Sequence, residues 1–128
     1  MILLDTCTLL WLSSDPSQLT HEAQQLIVKN AENLFVSAIS AFEIGIKSRK
    51  GKLDLPLALG DWFEKTLQYH GISEIPVNSE IAIRSTGLPA LHHDPCDRII
   101  IATAQINDMT IITPDPLIKQ YDGLKVAW

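Results

Sequence analysis

Short apolar segments recur along this chain between longer segments that carry apolar residues three and four positions apart. The short ones are "ILLD", "NLFVS", "ISEIPV", "MTIIT" and "LKVAW". A strand that is apolar on nearly every residue needs cover on both faces, because successive side chains point to opposite sides of a sheet. Strands of that kind belong to parallel sheets with helices packed on both faces. The alternation therefore predicts an α/β protein, a three-layer α/β/α sandwich around a central, mostly parallel sheet.

The intervening segments carry helix punctuation. "TCTLLWL" predicts a helix with Asp5 or Thr6 near its cap. Asp15-Pro16 marks a turn, and Thr20 precedes Glu22 and an amphipathic run through Leu26 and Ile27. In "AISAFEIGIKSRKGK", Ile39, Phe42 and Ile46 stand at helical spacing, and Lys47, Arg49 and Lys50 crowd the end before Gly51. "LALGDWFEKTLQYHG" and "SEIAIRSTGL" predict two further helices, and "PDPLIKQY" a turn with a short one. The best-patterned helix is "PCDRIIIATAQIND": Asp94 is placed as N-cap and Pro95 as first helical residue. Asp97 then falls at the third position, where a carboxylate meets the helix dipole and can bond back to the cap.

Composition limits what such a fold can do. At 128 residues, 46% apolar and 20% charged, the chain predicts a single domain over residues 1–128. It shows no repeat, linker, basic leader or run near the ~20 apolar residues of a membrane span, so a cytoplasmic location without membrane contact is expected. Cys7 and Cys96 form no C-x-x-C pair and are expected to be reduced and to serve packing. A net charge of −5 argues against coating nucleic acid by bulk charge. A nucleic-acid substrate would need local neutralisation, which a divalent cation held by carboxylates supplies.

The placement of the acids is what points to chemistry. Ligands of open parallel sheets bind at the carboxyl ends of strands, where strand order reverses. Asp5 ends "ILLD" and Asp115 lies just past "TIIT", so neighbouring strands would bring the two together. Each also has a plain structural reading, Asp5 as a cap and Asp115 as a turn residue between Pro114 and Pro116. Glu43 shares a helix stripe with Ile39 and Ile46, and Asp97 with Ile100, Ile101 and Ala104. No lysine or arginine is read on either stripe as a partner, and an inward carboxylate is costly unless paired or bound to metal. Carboxylate oxygens suit Mg2+ or Mn2+ rather than zinc, and His92-His93 read as loop histidines.

"LLDTCTLLW", "SAISAFEIGIK", "LPALHHDPCDRIIIATA" and "IITPD" resemble, in order, the acidic motifs of PIN-domain ribonucleases, and most closely VapC-like toxins of toxin–antitoxin pairs. The resemblance runs from Ile2 to about Asp115 and departs at Cys96, where a bulky apolar residue is expected. It implies an active site of Asp5, Glu43, Asp97 and Asp115 around Mg2+ or Mn2+, with the hydroxyls of Thr6 and Thr113 lining it. It also implies an RNA substrate, a homodimer, and inhibition by a small antitoxin protein.

Other residues carry two readings each. Arg98 is an outward-facing helix arginine, the preferred reading, or a phosphate contact; Lys47 to Lys52 end a helix or touch RNA backbone. Trp11, Trp62 and Trp128 serve core or partner contacts in preference to base stacking. A dinucleotide-binding module is excluded for want of a G-x-G-x-x-G turn after the first strand. A phosphate-accepting signalling domain lacks its paired acids and late lysine. A non-catalytic interaction domain with a vestigial acid cluster is the remaining rival.

Overall fold

The computed structural model describes residues 1–128. Five parallel strands, β1 (Ile2–Leu4), β2 (Leu34–Ser37), β3 (Ser73–Ile75), β4 (Thr110–Ile112) and β5 (Lys125–Ala127), form one sheet in the order β3-β2-β1-β4-β5. The chain builds outward from β1 through β2 to β3, then crosses back to place β4 on β1's other side. Strand order thus reverses between β1 and β4. Their register sets Leu4 beside Ile112, so the residues that follow, Asp5 and Thr113, emerge together at the carboxyl edge.

The apolar pattern is consumed on both faces, as the alternation predicted. Ile2, Leu4, Leu34, Val36 and Ile112 join one buried cluster with Leu9, Ala23, Ile27, Ile44, Trp62 and Phe63. Leu3 and Ile111 point the other way, into a cluster with Ile100, Ile101, Ala104, Ile118 and Tyr121. Helices α1 (Thr6–Ser14), α2 (His21–Lys29) and α4 (Leu59–His70) contribute to the first layer, and α6 (Pro95–Asn107) to the second, with α5 (Ser79–Thr86) packed on α6. Helix α3 (Ala38–Arg49) sends Ile44 to the first cluster and Ile39 to the second. Truncating a central side chain such as Leu4 to alanine would cost ~2–5 kcal/mol.

Local rules set the helix ends. Asp5, Thr20, Asn78 and Asp94 each accept a backbone N–H of the helix they precede, which satisfies groups that have no partner inside the helix. Helix α4 closes on Gly71 at φ 65°, a left-handed position that glycine takes without strain. Edge strands β3 and β5 are three residues long and carry Glu74 and Lys125, which discourages pairing with a further strand.

The inward face of α3 differs from the expected one. Ser40 and Ile44 are buried, whereas Phe42 is 58% exposed. Spacing alone had joined Phe42 to Ile39 and Ile46. The sheet instead takes the face beginning at Ser37 and leaves Glu43 on the boundary between core and solvent.

Candidate metal centre

Four chain segments meet at the carboxyl edge between β1, β2 and β4. Asp5 follows β1, Glu43 lies in the second turn of α3, Asp97 in the first turn of α6, and Asp115 just after β4. Asp5 is the deepest, 4% exposed. Its Oδ1 accepts the Thr8 backbone N–H at 2.8 Å, and its Oδ2 accepts the Thr113 hydroxyl. Capping and site formation are thus one arrangement for Asp5, and the same register that pairs β1 with β4 delivers the hydroxyl.

The other acids are held just as specifically. Thr6 donates to Glu43 Oε1 at 2.7 Å and exchanges a bond with the buried Ser40 hydroxyl at 2.9 Å. Asp115 accepts the Leu117 backbone N–H at 2.8 Å, so its turn role holds as well. Asp94 caps α6 through the Cys96 N–H at 2.8 Å, which leaves Asp97 free to face the cluster.

The electrostatics mark the cluster as unfavourable when bare. Burial pushes Asp5 above the ordinary carboxylate range despite its hydrogen bonds, and Glu43 adds to the rise. Asp97 is pushed up to about 7, first by burial, then by the charges of Asp94 and Glu43, with His92 pulling the other way. Carboxylates that resist ionisation because they are desolvated and face one another are what a hard cation would relieve. All the acidic donors are oxygens, which suits Mg2+ or Mn2+. The thiols of Cys7 and Cys96, both free, rise to about 11, first through burial, and offer no reactive thiolate near neutral pH.

Two expectations need correction. Glu43 does have a basic neighbour: Lys47 Nζ lies 3.4 Å from its Oε2, one helical turn on. The reading of unpaired stripes overlooked this i, i+4 relation. Arg98 neither faces freely outward nor waits for phosphate; its guanidinium donates to the carbonyls of Ser85, Leu88, Pro89 and His92 at 2.7–3.1 Å. Loop residues 88–92 lie over its helix with the carbonyls of Leu88, Pro89 and His92 turned toward it, so the fork is committed to them. His92 is the loop histidine expected, yet it is buried, 8% exposed, and reaches Asp115 Oδ2 at 2.8 Å and Asp97 Oδ2 at 3.2 Å. One donor atom each from His92, Asp97 and Asp115 fall within 4.8 Å of one another. No periodic signal marks His92, because its place depends on contacts distant in sequence.

The surroundings complete the picture. Phe42, Glu43, Ile46, Lys47, Lys50 and Lys52 line a cleft of about 620 Å³ that adjoins Asp94 and Cys96. A larger cleft, about 850 Å³, lies between α1 and α4 and contains no carboxylate. Trp62 is core, while Trp11 and Trp128 pack on each other, 5.7 Å between ring centroids, against the same core.

A family model for the PIN domain matches residues 2–124. The chain belongs to the PIN-domain family. Among its relatives, Ribonuclease VapC22 of Mycobacterium tuberculosis is 27% identical over 121 residues, 94% of this chain and 91% of the relative. The PIN fold is shared with VapBC from Salmonella typhimurium, solved bound to DNA, at TM-score 0.72 and 15% identity over 98% of this chain and 96% of that one. A toxin–antitoxin complex from Klebsiella pneumoniae matches at TM-score 0.65 and 24% identity, over 100% and 97% of the two chains. The FitAcB structure from Neisseria gonorrhoeae also matches at TM-score 0.65, with 21% identity over 98% and 96%. The five-stranded parallel sheet and its α/β/α layers are therefore those of PIN domains, as the motifs led us to expect.

Proposed function

We propose that this PIN domain, acting as a single unit over residues 1–128, is a metal-dependent endoribonuclease and the toxin of a toxin–antitoxin pair. The observation that supports the reading is a partly desolvated acidic edge: Asp97 and Asp115 meet at His92, and Asp5 and Glu43 lie near enough to raise the proton affinity of Asp97. Relatedness to a ribonuclease named VapC and shared fold with solved toxin–antitoxin complexes support the activity and the antitoxin partner. A homodimer working in the cytoplasm completes the proposal; no helix is long and apolar enough to cross a membrane.

Asp5 and Asp97 would hold the principal Mg2+ or Mn2+, with Glu43 and Asp115 completing its surroundings. When bound, such an ion supplies charge to the phosphoryl oxygens and acidity to water. The protein's own share is placement. Thr113 and the Thr8 N–H fix both oxygens of Asp5, and Thr6 turns Glu43 toward the edge. Lys47 partly offsets the acid charge. Together with Lys50 and Lys52, it gives the adjoining cleft an ammonium lining suited to backbone phosphates, which a chain of net charge −5 needs locally. Hydrolysis adds a water oxygen to phosphorus and breaks one ester bond, the departing oxygen taking a proton.

The test is purified protein with total RNA and Mg2+, Mn2+ or chelator, beside Asp5→Asn and Asp97→Asn. Cation-dependent cleavage lost in both variants supports the reading. Cleavage that survives both overturns the site. Absence of cleavage with every cation favours a non-catalytic interaction domain.

A further inference from the structure

His92 is unlike the acids around it: it comes from a loop, lies almost fully buried, and touches two of them at once. We infer that His92 is a positioning residue whose ring, bonded to Asp115 through Nε2–H and in contact with Asp97, holds the two side by side and presets them for a divalent cation. The inference rests on the reading of the cluster as a metal-binding site.

The direction of the hydrogen bonds decides the role. Asp94 N–H can only donate, and it points at His92 Nδ1 at 3.2 Å. Nδ1 is therefore the acceptor, and Nε2 carries the ring's N–H. Nε2 in turn donates to Asp115 Oδ2 at 2.8 Å, while Asp97 Oδ2 lies against the same nitrogen at 3.2 Å, in contact but outside hydrogen-bond geometry. A nitrogen that carries a proton has no lone pair for a cation, so the imidazole holds the carboxylates rather than joining them as a third ligand. The two acids belong to a helix and to a post-strand turn, and nothing else links their side chains directly.

The ring is itself placed with unusual redundancy for a loop residue. The His92 N–H donates to the Tyr121 hydroxyl at 2.9 Å, and that hydroxyl donates to Pro89 O at 3.0 Å. The His92 carbonyl accepts from Arg98 at 3.0 Å. Tyr121 is 3% exposed and anchored in the second core cluster. Core packing thus fixes the loop, the loop fixes the ring, and the ring fixes two carboxylates. Support of this kind behind metal-binding groups is worth roughly 10–100-fold in metal affinity.

The experiment measures Mn2+ binding by calorimetry, together with the nitrogen modulation of the bound Mn2+ electron spin echo. Four variants are compared with wild type: His92→Phe, His92→Asn, His92→Gln and, as an exposed neighbour, His93→Phe. Phenylalanine keeps the ring without a donor, and asparagine is too short to present one at the Nε2 position. Both should weaken Mn2+ binding by roughly 10–100-fold. Glutamine places an N–H near Nε2 and should restore affinity close to wild type, as should His93→Phe. If His92→Phe melts too early to assay, the contrast between glutamine and asparagine decides. Wild-type affinity in both His92→Phe and His92→Asn, or failure of glutamine to restore binding, overturns the inference alone. So does a directly coordinated nitrogen signal that His92→Phe removes, which would make the imidazole a ligand. A wild-type protein that binds no Mn2+ removes both this role and the metal-site reading beneath it.

Discussion

The two ends of α6 place the same residue type in opposite circumstances. At the N-terminal end, Asp97 is part-buried among Asp5, Asp94, Glu43 and His92, and its pKa rises to about 7. At the C-terminal end, Asp108 is exposed, adopts φ 52°, and bonds Lys125 Nζ at 2.8 Å, which holds its pKa below the usual range. Helix physics would favour an acid at the first end and disfavour it at the second. At both ends the direction of the shift follows the neighbours and the burial, and it runs opposite to what the dipole would favour. Asp108 is an ordinary surface acid with a partner, whereas Asp97 stands where folding alone gains little from a charge.

That contrast sets the largest expected effect. Asp97→Asn should lower RNA cleavage by at least about 100-fold, the scale of removing a preorganised electrostatic group from a reacting site. A cleavage assay at saturating Mg2+ checks it, and retention of full activity would erase the distinction between the two ends.

The next effect concerns what holds the acidic end in place. Arg98→Lys replaces a planar fork that serves four carbonyls with a single ammonium. It should cost ~1–3 kcal/mol through the Ser85, Leu88 and His92 carbonyls left unpaired, Pro89 O keeping the Tyr121 hydroxyl. Denaturant melts measure this; an unchanged midpoint would mean that the loop is not held by the guanidinium.

A smaller effect sharpens the electrostatic side. A carboxyl whose proton affinity is higher folded than unfolded makes the folded state bind more protons between the two pKa values. For Asp97 these are 3.8 and about 7. Stability therefore falls as pH rises through that window and is fully retained below it. With divalent cations removed, Asp97→Asn should melt like wild type near pH 3.5 and above it at pH 7.5, and added Mg2+ should narrow the gap. A gap independent of pH would show that Asp97 carries no burial penalty. Last, Asp108→Asn should leave both cleavage and melting temperature unchanged, since asparagine also accepts a left-handed conformation. A loss of activity there would show that the far end matters to the site.

Much of this was legible before any coordinates. Helix starts followed from single capping residues, because a cap is a local bargain between one side chain and one N–H. The nearness of Asp5 and Asp115 followed from strand-end logic once β1 and β4 were neighbours, which the register shows. Phe42 was misread because three-and-four spacing identifies a stripe without saying that the sheet will cover it; Ser40 and Ile44 are the residues covered. Lys47 was overlooked at a position where i, i+4 arithmetic does reveal it. His92 had no local signal at all. Its burial depends on Tyr121 and Arg98, 29 and 6 residues away, and only the folded chain brings them together.

The account depends on the carboxyl edge holding a hard cation, and a crystal soaked in Mn2+ and recorded at a wavelength where manganese scatters anomalously tests that directly. The prediction is an anomalous peak within about 2.0–2.6 Å of oxygens of Asp5 and Asp97, the distance range of direct ligands to such ions, absent from Asp97→Asn. A peak only elsewhere on the molecule, or none at this edge with Mn2+ present, would contradict it.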